Sequence, residues 1–212
     1  AGEVFLDDVS VTAAGAGVGL PVDFEDTGAT YNWAGFDGGA ASVVDNPDMT
    51  GNTSAKVTEL IKGAGQPWAG ALLTLDTAID FTQGEIVTMN FWSASAKPVL
   101  LKFEGTLANA ELTATHGGGS TWESLSYDFT GMTAGLGDVV KVVIIVDNGV
   151  VGDGSAAWTF YADDIANGSG SPGGGVALPV DFEDTGATYN WAGFDGGAAS
   201  VVDNPDMTGN TS

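Results

Sequence analysis

The sequence predicts an all-β protein, an antiparallel β-sandwich of the jelly-roll kind, on three observations. Three short segments alternate apolar and polar residues, one further segment is β-branched almost throughout, and Gly, Asp and Asn punctuate the chain between them. In "EIVTMNFW" (85–92) the alternation puts Val87, Met89 and Phe91 on one face and Thr88, Asn90 and Trp92 on the other. "PVLLKFEG" (98–105) sets Val99, Leu101 and Phe103 against Leu100, Lys102 and Glu104. "TWESLSYDF" (121–129) sets Leu125, Tyr127 and Phe129 against Trp122, Ser124 and Ser126. Each strand thus offers an apolar face and a mixed face. "VVKVVIIVD" (139–147) reads as a central strand covered on both sides. "SAKVTELIK" (54–62) has a helix-compatible spacing at Val57, Leu60 and Ile61, but a strand fits its surroundings better. Many short strands with such turns make a sandwich, and a jelly roll is its expected form.

The segment "LPVDFEDTGATYNWAGFDGGAASVVDNPDMTGNTS" occurs twice without a difference, at 20–54 and at 178–212. Its offset, from Leu20 to Leu178, has the size of a folded domain and far exceeds the unit of a solenoid. The opening "VFLDDVSV" (4–11) parallels "TFYADDIA" (159–166), and Gly-rich stretches precede both copies of "LPVDFED". The domain reading follows. Residues 1–12 are the last strand of a preceding module, 13–19 a linker, 20–166 one complete module, 167–177 a Gly/Ser-rich linker, and 178–212 the start of the next, identical module. The chain reads as a window on a tandem array. Neighbouring copies of the module are expected partners; strand exchange between subunits is the alternative to this window, and the window is preferred.

The 28 acidic residues face five Lys and no Arg, for a formal charge of −23. Such a field disfavours nucleic acid and anionic membrane surfaces, and suits solubility in salt or the binding of cations. No apolar run is long enough to insert into a membrane. Cys is absent, which excludes disulfides, zinc–thiolate sites and a thiol nucleophile. The single His, His116, excludes multi-histidine metal sites, and its "HGGG" context reads as a turn because no G-x-S-x-G elbow accompanies it. "GSGSPG" (168–173) fits a phosphate-loop spacing, but Pro172 discourages the helix such a loop must open. Glu104, Glu111 and Glu123 are conceivable glycosidase acids that no spacing brings together, so no enzyme is expected. "NTS" at Asn52 and Asn210 is a glycosylation sequon.

Two features carry the functional expectation. Acidic groups stand at both ends of the module, Asp23, Glu25 and Asp26 in "VDFED" and Asp163 and Asp164 in "YADDI". First and last strands of a sandwich are commonly neighbours, so these carboxylates can converge on calcium, which takes six to eight oxygen ligands. Asp163 and Asp164 point to opposite faces unless the strand bulges. The alternative is a set of solvated strand ends. The second feature is Trp: Trp92 and Trp122 on mixed strand faces, Trp33 and Trp68 in loop-like surroundings, with Lys102 and Glu104 sharing a face that could bracket sugar hydroxyls. Against this, Trp usually completes a core, as Trp158 is expected to do.

An early "DFE" followed by a closing aromatic-x-x-Asp-Asp-Ile strand resembles the calcium-containing jelly-roll carbohydrate-binding modules attached to xylanases and laminarinases, and "VDNPDMTGNTSAKV" (44–57) looks like their second-strand region. The resemblance implies that Glu25 and Asp164 are structural calcium ligands, with Asp23 and Asp163 as weaker candidates. It implies a non-catalytic, extracellular or cell-surface repeat that adheres to a polysaccharide such as a β-glucan, with avidity from repetition. The rival reading is a structural extender or filament repeat that keeps the fold and binds no sugar.

Overall fold

The computed structural model describes residues 17–26 and 28–168, which belong to one compact unit spanning Gly15–Ser169. Its strands are β1 (Asn32–Phe36), β2 (Gly39–Asp45), β3 (Lys56–Lys62), β4 (Gly70–Thr74), β5 (Ile86–Ser93), β6 (Lys97–Gly105), β7 (Asn109–His116), β8 (Thr121–Asp128), β9 (Val139–Val146) and β10 (Thr159–Asn167). They form two five-stranded antiparallel sheets, ordered β1-β4-β9-β6-β7 and β2-β3-β10-β5-β8. The protein is a β-sandwich of the jelly-roll type, as the alternation predicts.

The predicted inner faces meet between the sheets. Val87, Met89 and Phe91 of β5, Val99, Leu101 and Phe103 of β6, and Leu125 and Tyr127 of β8 are all buried in one cluster with Phe160, Ala162 and Ile165 of β10. Burial of one such large apolar side chain contributes about 1.5–3 kcal/mol. Strand β9 lies between β4 and β6 and is covered on both faces: Val142, Ile144 and Val146 join the main core, while Val143 and Ile145 pack with Leu100, Phe36 and Leu72 on the other side. The segment with helix-compatible spacing is strand β3. It pairs with β2 from Gly39↔Lys62 to Asp45↔Lys56 and with β10 on its other edge, and two ladders outweigh a weak helical periodicity.

Both ends of the unit are tied to the same stretch, residues 75–86. The Val18 carbonyl accepts from Asp76 and Thr77, and the Val18 N–H donates to the Asp76 carboxylate. At the other end the Asn167 amide donates to the carbonyls of Asp80 and Gly84, and the Gly168 N–H donates to Ile86. Between them Val22 and Ile165 form an antiparallel bridge with both bonds at 2.9 Å. The chain therefore enters and leaves by one end. Val18 is buried, so the tail of the expected 13–19 linker is part of the fold, and β10 runs one residue past the expected boundary at 166. The expected strand at 1–12, the rest of both linkers beyond Gly168 and before Gly17, and the repeated segment at 178–212 lie outside the described residues.

Candidate functional site

The acidic cluster is assembled by the Val22–Ile165 bridge, which lays the "VDFED" segment beside the end of β10. Strand β10 bulges between Asp163 and Ala166, and Asp164 takes a positive φ of 50°. That bulge breaks the alternation that would have thrown the two carboxylates to opposite faces. Asp164 Oδ2 accepts from the Asn90 amide at 2.8 Å. Burial raises its pKa, and the negative charges of Asp23 and Glu25 add to the rise, while the Asn90 bond offsets part of it. The three carboxylates thus share one repulsive neighbourhood.

Asp163 is 0% exposed. Its Oδ2 accepts from the Asn52 amide at 2.7 Å, whereas Oδ1 is buried without a hydrogen-bond partner of good geometry. Burial pushes the Asp163 carboxyl up to about 7, with the Asp164 charge adding to the rise, and the Asn52 and Ser54 side chains offset it only in part. Glu25, on the opposite side, accepts the Lys56 N–H through Oε1 at 2.7 Å, and Asp23 accepts the Glu25 N–H at 3.1 Å. Among the described residues no three acidic or His side chains converge closely enough to form a ready-made metal centre. What exists is a concentration of negative charge and one orphaned, buried oxygen.

The Trp candidates separate sharply. Trp92 and Trp122 face each other across β5 and β8 on the outer side of their sheet, as expected. The β2–β3 connection, residues 46–55, covers that side: Asp48 accepts the Trp92 indole N–H through Oδ2 at 3.1 Å and the Trp122 indole N–H through its carbonyl at 2.7 Å. Trp122 is only 9% exposed, and Trp92 also meets Tyr161 edge-on, with ring centroids 5.5 Å apart. One loop residue occupies both donors that a sugar would use. Trp33 lies in β1 rather than in a loop and packs against the core beside Phe24, with its indole N–H buried and unpartnered. Trp158 is also packed on the core, as expected, and carries the Lys97 ammonium 4.0 Å from its ring centroid.

Trp68 differs. It is 50% exposed, and its indole N–H donates to Asp37 Oδ2 at 2.7 Å. Asp37 and Gly38 form the link from β1 to β2, with φ of 53° and 102°, the left-handed pair that an Asp-Gly turn favours. The Trp68 loop is fastened to that turn by Gln66 N–H to the Asp37 carbonyl and Gly63 N–H to the Gly38 carbonyl, each at 2.8 Å. Beneath it Lys62, 3% exposed, donates to the carbonyls of Pro67, Val146 and Asp147 at 2.8, 2.6 and 2.9 Å. Lys62 falls on the inward parity of β3 with Leu60, a position readable from the sequence whose three-carbonyl cage was not. Burial lowers its pKa, with the Asp147 charge opposing.

Lys102 and Glu104 share the outer face of β6, as expected, and are paired with each other at 2.9 Å, with Lys141 4.0 Å from the same Glu104. His116 is buried; its Nδ1 accepts the Gly118 N–H and its Nε2 donates to the Thr121 carbonyl, so "HGGG" is a turn. Asn52 is 5% exposed and spends its amide on Asp163, which leaves that sequon closed to modification in the folded unit.

No family model matches the sequence, and no curated protein is similar to it. Solved structures are similar in fold. An exo-β-agarase structure aligns with a TM-score of 0.54 at 12% identity, over 74% of this chain and 25% of that one. The likeness shows a shared sandwich, and this chain spans about a quarter of the agarase's length. A family 11 carbohydrate-binding module from Clostridium thermocellum, in complex with a β-1,3-1,4-mixed-linked tetrasaccharide, aligns with a TM-score of 0.46 at 14% identity over 73% of this chain and 98% of that one. The family 11 module of the cellulosomal cellulase Lic26A-Cel5E from the same organism gives 0.47 at 14%, over 74% and 96%. Among the described residues no helix is long and apolar enough to cross a membrane.

Proposed function

We propose that the unit is a non-catalytic carbohydrate-binding module of a secreted or cell-surface protein, stabilised by calcium and repeated along the chain to adhere to polysaccharide by multivalency. The observation that carries this reading is Trp68, an exposed indole anchored at its N–H edge by Asp37, with its ring free to stack on the C–H face of a sugar. Its setting is preorganised by the turn and by Lys62, which lowers the ordering cost of binding. The identical segments at 20–54 and 178–212 support repetition, and linked weak sites gain affinity through effective concentration. Calcium in the cluster of Asp23, Glu25, Asp163 and Asp164 would neutralise the carboxylate repulsion and serve the orphaned Asp163 oxygen. These residues close the first segment onto the last strand, so the ion's role is structural. The rival role of spacer or filament repeat draws on the same sequence identity, but a unit that the chain enters and leaves by one end adds little to an array's length.

The test is a set of melting curves of the 212-residue chain in EDTA, in calcium, and in calcium with soluble β-glucans and other polysaccharides. A rise with calcium and a further glycan-specific rise are expected. Trp68→Ala should abolish the glycan increment while the calcium-dependent rise in melting temperature remains. A glycan increment that survives in Trp68→Ala would refute the assignment of the site, and none with any glycan would favour the spacer.

A further inference from the structure

We infer that the Trp68–Asp37 site selects polysaccharides whose sugars carry a protonated amine, of the glucosamine type, over their neutral counterparts. The inference rests on the reading of Trp68 as the sugar platform and names the ligand class for it.

The first support is the chain's own cation inventory. All five of its Lys lie in the described unit, there is no Arg, and each is engaged by the protein itself. Lys56 pairs with Asp45, Lys97 with Asp147 and Lys102 with Glu104, Lys141 stands 4.0 Å from Glu104, and Lys62 is enclosed by carbonyls. An acidic glycan finds no unpaired partner there, whereas a cationic one enters an attractive field.

The second support is the pair itself. Among the described residues no Lys reaches Asp37, and its second carboxylate oxygen accepts no hydrogen bond. An exposed indole face beside an unneutralised carboxylate is the pairing that holds an ammonium group: the ring quadrupole attracts the cation from above and the carboxylate from the edge. The carboxylate on the N–H also pushes electron density into the ring, which strengthens the first term. Val150 and Val151 are exposed on the loop whose Gly149 N–H donates to the Pro67 carbonyl, next in sequence to Trp68. The opposing charge is Lys62, which lies beneath the loop and is held by the carbonyls of Pro67, Val146 and Asp147.

A matched ligand series tests this. The full chain is titrated by calorimetry at about pH 5.5 and low salt with three β-1,4-linked hexasaccharides that differ only at C2: glucosamine, N-acetylglucosamine and glucose. Glucosamine hexamer should bind about tenfold more tightly than either neutral oligomer, and the preference should shrink as salt is added. Trp68→Ala should abolish binding of all three, and Asp37→Asn should bring the amine down to the neutral level. Equal, Trp68-dependent binding of all three by the wild type would overturn the inference and leave the sugar-binding reading intact. A preference for the amine that persists in both variants would also overturn it, since that is attraction by the net charge alone. No binding of any oligomer would overturn the inference, and the polysaccharide melting curves then decide the sugar-binding reading. The wild-type comparison stands even if Asp37→Asn disturbs its turn.

Discussion

Asp163 ties a titration to the fold. Its folded pKa is raised from 3.8 to about 7 by burial, so the folded chain keeps a proton that the unfolded chain has released. With more protons bound in the folded state, this group's contribution to stability is full below the unfolded value and falls as pH rises through that window. Asp164, also raised, acts in the same direction. Carboxylates lowered by hydrogen bonds, such as Asp48 and Asp80, titrate below the window and leave it undisturbed. In EDTA the wild type is therefore expected to be more stable at about pH 5 than at about pH 8, by roughly a few kcal/mol or less, read as a higher melting temperature at the lower pH. Asp163→Asn, which keeps the Oδ position and drops the charge, should lose much of that slope and respond less to calcium. Calcium itself should flatten the wild-type slope, because the ion supplies the missing counter-charge. A wild-type melting point that climbs from pH 5 to pH 8 in EDTA would contradict this account of Asp163.

At the scale of elements, strands were legible and the loops that dress them were not. Alternation identified both faces of β5, β6 and β8, because burial of every second residue leaves a period of two in the sequence. The same pattern placed Trp92 and Trp122 on an outer face, but nothing in it signals that residues 46–55 fold back over that face, since the two bonds from Asp48 join positions 44 and 74 residues apart. The acidic cluster was legible in its residue types, although the expected first strand at 22–26 is only an isolated bridge to β10. The partners Asn52 and Asn90 were not, because they depend on the bulge in β10, on its register with β5 and on the fold of the β2–β3 connection. Asp37 could have been found from its Asp-Gly pair, a short-range signal that needs no tertiary knowledge. Lys62 is the clearest case of tertiary override: a cation at an inward position of β3 that succeeds because two loops converge their carbonyls on it. Lys62→Met should cost about 2 kcal/mol in stability through unsatisfied carbonyls. It should also raise amide exchange across 63–69 and 147–154 more than across β5 or β8, and Lys62→Arg should restore neither, because a planar guanidinium does not match a three-point cage. Uniform exchange throughout the sandwich would show that Lys62 does not hold these loops in particular.

For the molecule as a whole, the decisive feature is that both ends of the unit are fastened to residues 75–86 and meet at the Val22–Ile165 bridge. Pulling the flanking chain in opposite directions loads that bridge as a zipper, so its two bonds break one after the other instead of sharing the load. Stretching the chain between handles should give a first yielding event at low force that frees the segment before β1 while the sandwich stays folded. Asp23 and Glu25 on one side of that seam and Asp163 and Asp164 on the other are the groups proposed to hold calcium, so the yield force should be higher in calcium than in EDTA. Such a seam is a mechanical fuse: an array would lengthen by small reversible slips under load, and the concentration of a common divalent ion would set the tension at which it gives.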